Sequence, residues 1–245
     1  MVYDFRARRL FVDLPLEAGA VLEPAQAQAR YLIHVLHLKG GDTILVFNGR
    51  DGEWRARLGE AGGKTCALAI EEQIRAQQQA PDLDFLFAPP KQARLDTMVR
   101  MAVEMGAGRL IPVRTQFTQI ARIDSGRMRA NVIEAAEGCG LLCLPEIAPF
   151  ERLDQILAGW DRARQLIFCD EAAPVANPIA ALHAVPAGPL AVLIGPEGGF
   201  SEAERARLLA LPHVTVLSLG ARILHADTAA IAALAIVQAA IGERR

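Results

Sequence analysis

Five apolar runs after Pro81 constrain the fold more than any other feature: residues 83–88, 109–113, 165–169, 190–194 and 214–217. None of them alternates apolar with polar residues, as a strand with one wet face does, so each reads as a strand covered on both faces. Helical segments lie between most of them: Leu95 to Met105 closed by Gly106, a long one near Arg127 to Leu142, Ser201 to Leu211, and a final one from Asp227 to Ile241. Strands alternating with helices are the signature of a parallel α/β sheet, and that is the expected fold class of the larger part of the chain.

The first third has a different texture. Ile44 to Phe47, Glu53 to Leu58 and Thr65 to Ile70 are short β-like segments separated by the turn signals Asn48-Gly49 and Asp51-Gly52, which predicts a small barrel or meander. Trp54, Ala56 and Leu58 alternate with Glu53, Arg55 and Arg57, so one face is expected to be apolar and the other wet. A helix is expected before these strands, because Ala29, Leu32, Ile33 and Leu36 recur at helical spacing between Ala25 and Leu38 until Gly40-Gly41 stops it. The stretch Ala76 to Pro81 has neither period and ends in proline, so a linker over 76–81 is expected to join a domain of residues 1–75 to one of 82–245.

Composition narrows the class. With 245 residues, 52% hydrophobic and 22% charged, the chain can bury a core without staples and is not a disordered tail. Its longest apolar stretch, Ala229 to Ile241, is shorter than the roughly 20 residues that span a bilayer. Asp4, Arg6, Arg8 and Arg9 stand where a signal peptide needs an apolar run, so a cytoplasmic address is expected. Cys66, Cys139, Cys143 and Cys169 lack paired CxxC spacing and nearby histidines; they read as buried thiols, and no metal is expected. A net charge of −2 argues against bulk electrostatic binding of nucleic acid while leaving room for a local basic patch.

Two loops carry the candidate chemistry. Ala191-Val192-Leu193-Ile194 runs into Gly195-Pro196-Glu197-Gly198-Gly199-Phe200, after which Ser201 and Glu204 form a capping box that starts a helix. A plain βα turn rarely needs three glycines, a proline and a glutamate in five residues. Glycines let backbone groups approach a ligand, and loops at strand carboxyl ends are where open α/β sheets bind ligands. The second loop, Leu217-Ser218-Leu219-Gly220-Ala221-Arg222-Ile223-Leu224-His225, leads to Asp227 or Thr228 as a cap for an alanine-rich helix suited to close packing in a core or at an interface. Other motifs fail. Gly63-Lys64-Thr65 has Leu58 where a phosphate loop needs its first glycine and reads as a hairpin, Gly106 follows a helix and reads as its C-cap, and GxGxxG, GxSxG and HExxH are absent.

These two loops resemble the cofactor loops of the RsmE-type 16S ribosomal RNA (uracil-N3)-methyltransferases of the SPOUT superfamily. The resemblance spans nearly the whole chain, through Arg9-Leu10-Phe11-Val12, Tyr31-Leu32, Gly41-Asp42, Phe47-Asn48-Gly49, Lys91, Glu104-Met105-Gly106, Glu134-Ala135-Ala136-Glu137 and Pro145-Glu146-Ile147. It implies a PUA-like RNA-binding β-barrel, then an α/β domain with a carboxy-terminal trefoil knot, working as a homodimer on the small ribosomal subunit and methylating N3 of uridine U1498. It also implies S-adenosyl-L-methionine held by Leu193, Ile194, Gly195, Pro196, Glu197, Gly198, Gly199, Leu217, Ser218, Leu219, Gly220, Ile223 and Leu224, with Thr228 as an addition.

The chemistry assigns further roles. Uracil N3 must lose an imide proton from its pairing edge, so the base must be unpaired or flipped out, and a cation near its oxygens stabilises the developing charge. Arg222 is the candidate cation and Glu197 the candidate proton acceptor; Arg6, Arg8, Arg9, Lys91 and Arg114 are candidate RNA contacts. Met101, Gly138, Leu141, Ala221, His37 and His225 depart from the family pattern, which has lysine, glutamine, arginine, proline and two arginines there. Lost cations weaken phosphate binding, whereas the glycine loop is intact. A non-catalytic RNA- or ribosome-binding protein is the alternative, and a nucleotide-dependent oxidoreductase or phosphotransferase is a third reading that lacks both fingerprints.

Overall fold

Strands without alternation end up where both faces can be buried. In the computed structural model, which describes residues 7–60, 65–174 and 177–241, β6 (Leu83–Phe87), β7 (Arg109–Arg114), β10 (Gln165–Cys169), β11 (Leu190–Ile194) and β12 (Val214–Leu217) all join one parallel sheet in the order β12-β10-β11-β6-β7-β8. Its edge is completed by two-residue strands, β8 (Glu146–Ile147) and β9 (Glu151–Arg152), each paired with β7. Contacts divide the chain into two units, one reaching to Ala80 and taking in Ile133–Leu144, the other formed by Pro81–Val132 and the chain from Pro145 onward. The segment 133–144, expected in the second domain, thus belongs with the first. β5 (Leu68–Arg75) ends before 76–82, which carry no helix or strand.

In the second unit, Leu86, Leu166, Phe168, Ala191 and Leu193 face Leu153 and Leu157 of α4 (Leu153–Ala158) and Leu208 of α6 (Glu202–Leu209). Intervening strand residues, Phe85, Phe87, Ile167 and Val192, are also fully buried. The long α7 (Ala226–Ile241) contacts β11, α2 (Gln92–Glu104) and α5 (Pro178–His183), so its alanines serve close packing. α2 ends as expected: Gly106 has φ +78°, and a Cβ there would lie 2.9 Å from the Gln238 side chain of α7. α3 (Ser125–Cys139) covers most of the expected helix. Its Arg127 and Asn131 hydrogen-bond Asp96 on α2, and chiefly the Arg127 bonds hold that carboxyl below the ordinary aspartate range.

The first unit is a five-stranded sheet in the order β1-β3-β4-β5-β2, formed by β1 (Arg9–Phe11), β2 (Val21–Leu22), β3 (Thr43–Phe47), β4 (Glu53–Leu58) and β5. β1 runs parallel to β3 and the other pairs are antiparallel. The expected helix is shorter and partly π-helical: α1 (Gln26–Arg30) continues as a π turn over Tyr31–Val35, and His37 takes φ 53° just beyond. Leu10, Val12, Leu32, Val46, Leu58 and Leu68 are among the side chains of its core.

Three expectations are corrected here. Glu53 does not lie on a wet face; it is 1% exposed, and its carboxylate accepts from Arg9 at 2.9 Å and from Arg75 at 2.7 Å. The cause is local: the β4–β5 register shifts between Glu53 and Ala56, which breaks the simple alternation, and Gly52 at φ +82° lets the chain approach the Arg75 carbonyl where a Cβ would collide. Arg9 is consequently buried and committed to Glu53, so it is withdrawn from the RNA contacts. Cys139 is exposed, whereas Cys66, Cys143 and Cys169 are buried. Gly63-Lys64 and Arg6 lie outside the described residues.

Two outcomes follow. Glu53→Gln leaves two guanidinium groups facing a neutral amide inside the first unit and should cost about 3–5 kcal/mol, read as a lowered urea midpoint, while Arg55→Gln on the same strand should change little. At the start of β12, His213 is buried and stacked on Trp160 at 6.1 Å, with neither ring nitrogen hydrogen-bonded among the described residues. Burial first, then Arg162, lowers its pKa from 6.5. The unfolded chain therefore takes up a proton that the folded chain refuses, so stability is lost as pH falls through about 6.5. In His213→Phe, urea midpoints between about pH 7.5 and 5.5 should lose that part of their slope.

Candidate functional site

Parallel register brings three strand ends side by side: Cys169 of β10 pairs with Ile194 of β11 on one side and Leu217 of β12 on the other. The chain turns away immediately after each, and the three turns enclose a cavity of about 490 Å³ at the carboxyl edge of the sheet. This is where open parallel sheets hold ligands, and the size lies in the ordinary range for small-molecule sites. The cavity brings together Ile194, Gly195, Pro196, Glu197 and Gly198 from the first expected loop with Leu217, Leu219, Gly220, Arg222, Ile223 and Leu224 from the second.

Four of the expected cofactor residues are not in its lining. Leu193 points into the core on the α4 and α6 side of the sheet; Gly199 and Ser218 are buried; and Thr228 is an exposed residue within α7. α7 starts at Ala226, so Asp227 and Thr228 fall in its first turn instead of capping it. A third wall was missed: Cys169, Asp170 and Glu171, together with Ala226 and Ala229. Nothing in the loop after β10 has a glycine pattern, so sequence offered no signal for it.

The first loop is shaped by what its glycines leave out. A Cβ on Gly195 would stand 2.5 Å from Cε2 of Phe200, whose ring occupies that space. Gly199 takes φ +69° and donates its N–H to the Pro196 carbonyl at 2.9 Å, and the Glu171 carboxylate fills the position of its absent Cβ. The helix start is the expected capping box: Ser201 Oγ accepts from the Glu204 N–H at 3.3 Å, and Glu204 accepts from the Ser201 N–H at 3.0 Å.

The electrostatics of the crevice are lopsided. Asp170, Glu171 and Glu197 line it against a single arginine, Arg222. Asp170 is buried and held by Arg205 at 2.7 Å and by the Ala172 N–H at 3.0 Å. Cys169 is buried, which pushes its thiol up to about 12, so it remains a neutral wall. Arg222 is exposed and makes no hydrogen bond or ion pair among the described residues. Glu197 is not free: Arg94, in the first turn of α2, donates to it at 2.6 Å and lies 3.3 Å from His225 Nε2. Arg94 thus ties the two crevice loops together. It was missed because an arginine in a first helical turn reads as a solvated charge. Two of the three carboxylates are thus offset by arginines outside the lining, and the crevice suits a ligand with an apolar heterocycle and a modest positive centre.

Among the other candidate contacts, Lys91 is an exposed residue at the N-cap of α2. Arg114 is exposed, donates to the Ala121 carbonyl at 2.6 Å and covers the Phe150 ring at 4.8 Å. Arg8, in the first unit, is exposed and donates to the Leu36 carbonyl at 2.7 Å. Among the described residues no cluster of histidine, cysteine and carboxylate side chains could hold a metal, and no helix is long and apolar enough to cross a membrane.

Comparison with known proteins agrees with this geometry. Residues 77–238 match the family model of an RNA methyltransferase domain and residues 25–71 that of an RNA methyltransferase PUA domain. The chain is 31% identical to a Synechocystis ribosomal RNA small subunit methyltransferase E, over 95% of this chain and 78% of that one. It is 28% identical to the Rickettsia conorii protein of the same name, over 94% of both. A Legionella pneumophila structure solved in complex with SAM superposes with a TM-score of 0.80 at 26% identity, covering 96% of this chain and 98% of that one. Fold, domain order and sequence together make this chain a member of the ribosomal RNA small subunit methyltransferase E family.

Proposed function

We propose that this chain transfers a methyl group from S-adenosyl-L-methionine to N3 of a uridine in 16S rRNA, the position U1498 that the family resemblance implies. The protein acts as a cytoplasmic homodimer, with its carboxy-terminal segment threaded as a knot. The observation that carries the reading is the crevice: three carboxylates and one arginine around a cavity of about 490 Å³. The donor fits that set. Ile194, Leu217, Leu219 and Leu224 offer an apolar bed for its heterocycle, the glycine backbone allows close approach, and the carboxylates, two of them paired with arginines outside the lining, accommodate its positive charge. When bound, the donor supplies an electrophilic methyl group.

This chain's residues do the remainder. Positioning supplies much of the acceleration in such a transfer, and the crevice walls are the positioning device. Arg222, unpaired at the rim, is available to stabilise negative charge on the uracil oxygens as N3 loses its proton. Glu197 is the candidate acceptor for that proton; one of its oxygens is held by Arg94, which must yield before that oxygen can accept. Lys91, Arg114 and Arg8 offer exposed cations to RNA phosphates.

The direct test is transfer of labelled methyl to small subunits lacking the mark, with nucleoside analysis expected to find 3-methyluridine. Calorimetry should show heat for S-adenosyl-L-methionine and none for ATP or NAD. Donor binding without transfer to any subunit would favour a non-catalytic ribosome-binding role. Arg222→Ala should lower transfer about 100-fold or more with donor affinity within a few fold; wild-type turnover would remove Arg222 from the mechanism. Arg94→Ala should weaken donor binding by no more than about fivefold, since the Arg94–Glu197 pair is partly exposed.

A further inference from the structure

We propose that Phe117 is the platform on which the target uracil stacks while its N3 edge is presented to the crevice, an inference that rests on the methyltransferase reading. Among the described phenylalanines Phe117 is the exposed one, at 44%, in a chain that is only 5% aromatic. Its position is specific. Its Cβ and Cγ lie 3.4 and 3.8 Å from where a Cβ on Gly198 would sit, and Gly198 lines the crevice beside Glu197. Phe117 therefore packs against Gly198 at the edge of the crevice, at a distance that is ordinary van der Waals contact.

The exposure is built into the loop. Thr118 Oγ1 accepts from the Thr115 N–H at 2.9 Å and meets Thr115 Oγ1 at 2.9 Å, which closes the turn on which Phe117 stands. Next to it the Gln116 N–H donates to Glu204 Oε1 at 2.8 Å, and Glu204 is itself locked in the capping box of α6. The same turn forms one wall of a groove of about 510 Å³ that also carries Arg114, Arg152 and Arg207 against Asp154 and Glu204. Gln116 and Thr118, on either side of Phe117, line that groove, so a base stacked on the ring directs its phosphate toward the groove's arginines, of which Arg152 is already paired with Asp154.

The reaction favours recognition by the face. Uracil N3 lies in the pairing edge, and side chains hydrogen-bonded along that edge would crowd the atom that must react. Stacking holds the π face and leaves the edge open, and it is tolerant of base identity, so the choice of uracil falls to groups such as Arg222.

Phe117→Leu keeps an apolar side chain on an exposed position, and the protein should fold as before. With small subunits lacking the mark it should lose roughly tenfold or more in kcat/KM, with S-adenosyl-L-methionine affinity within twofold; Phe117→Tyr should restore most of the loss. In Phe117→Trp, the indole fluorescence should be quenched by a uridine-containing oligonucleotide. Wild-type kcat/KM in Phe117→Leu, or no quenching, would overturn the platform. Equal losses in donor affinity and transfer would also overturn it, by making Phe117 a wall of the donor crevice. Quenching without transfer by the wild-type protein would keep the platform and reject the enzymatic reading.

Discussion

The site depends on the register of three parallel strands. Because Leu217, Cys169 and Ile194 are aligned partners, β12, β10 and β11 stop at one level, and the turns that follow them face a common space. A slip of one residue would turn a strand over and bury its loop-facing residues in the wrong layer. That register is held by apolar side chains on both faces of the sheet, so packing of the core and shape of the crevice are one constraint. The glycines refine the opening; the strands create it.

Within the crevice, charged groups are mostly paired. Carboxylates from two different loops line it with one free arginine, and two of them are paired from outside the lining, Asp170 by Arg205 and Glu197 by Arg94, which also lies close to His225. Arg94, supplied by α2, thus spans the loops that follow β11 and β12, bonded to Glu197 at 2.6 Å and lying 3.3 Å from His225 Nε2.

Much of this was legible in the sequence because the signals were local. The five unalternated runs became the strands of the second sheet, Ser201 and Glu204 made their capping box, and Gly106 ended α2 with a positive φ. What could not be read depends on distant partners. β1 is three residues long and exists because β3 lies beside it. β8 and β9 have two residues each and no pattern of their own. Glu53 looked like a surface charge because alternation was the only guide, and a register shift with Arg9 and Arg75 placed it inside. The wall formed by Asp170 and Glu171 follows an ordinary apolar strand with no glycine turn to mark it. Arg94 gains meaning only when two loops from the far end of the chain arrive in front of it.

Phe200 has a consequence for how the crevice can vary. Its ring meets Phe168 edge-on at 5.0 Å in the core and also fills the space that a side chain at position 195 would need. The turn is thus pinned by a half-buried ring packed against the core, and its ordering entropy is lost when the domain folds, not when a ligand arrives. Positions 195 and 200 therefore form a single unit of variation: a larger residue at the first demands a smaller ring at the second, and that ring is also part of the core. Lineages that drift elsewhere along this loop should hold these two sites in step.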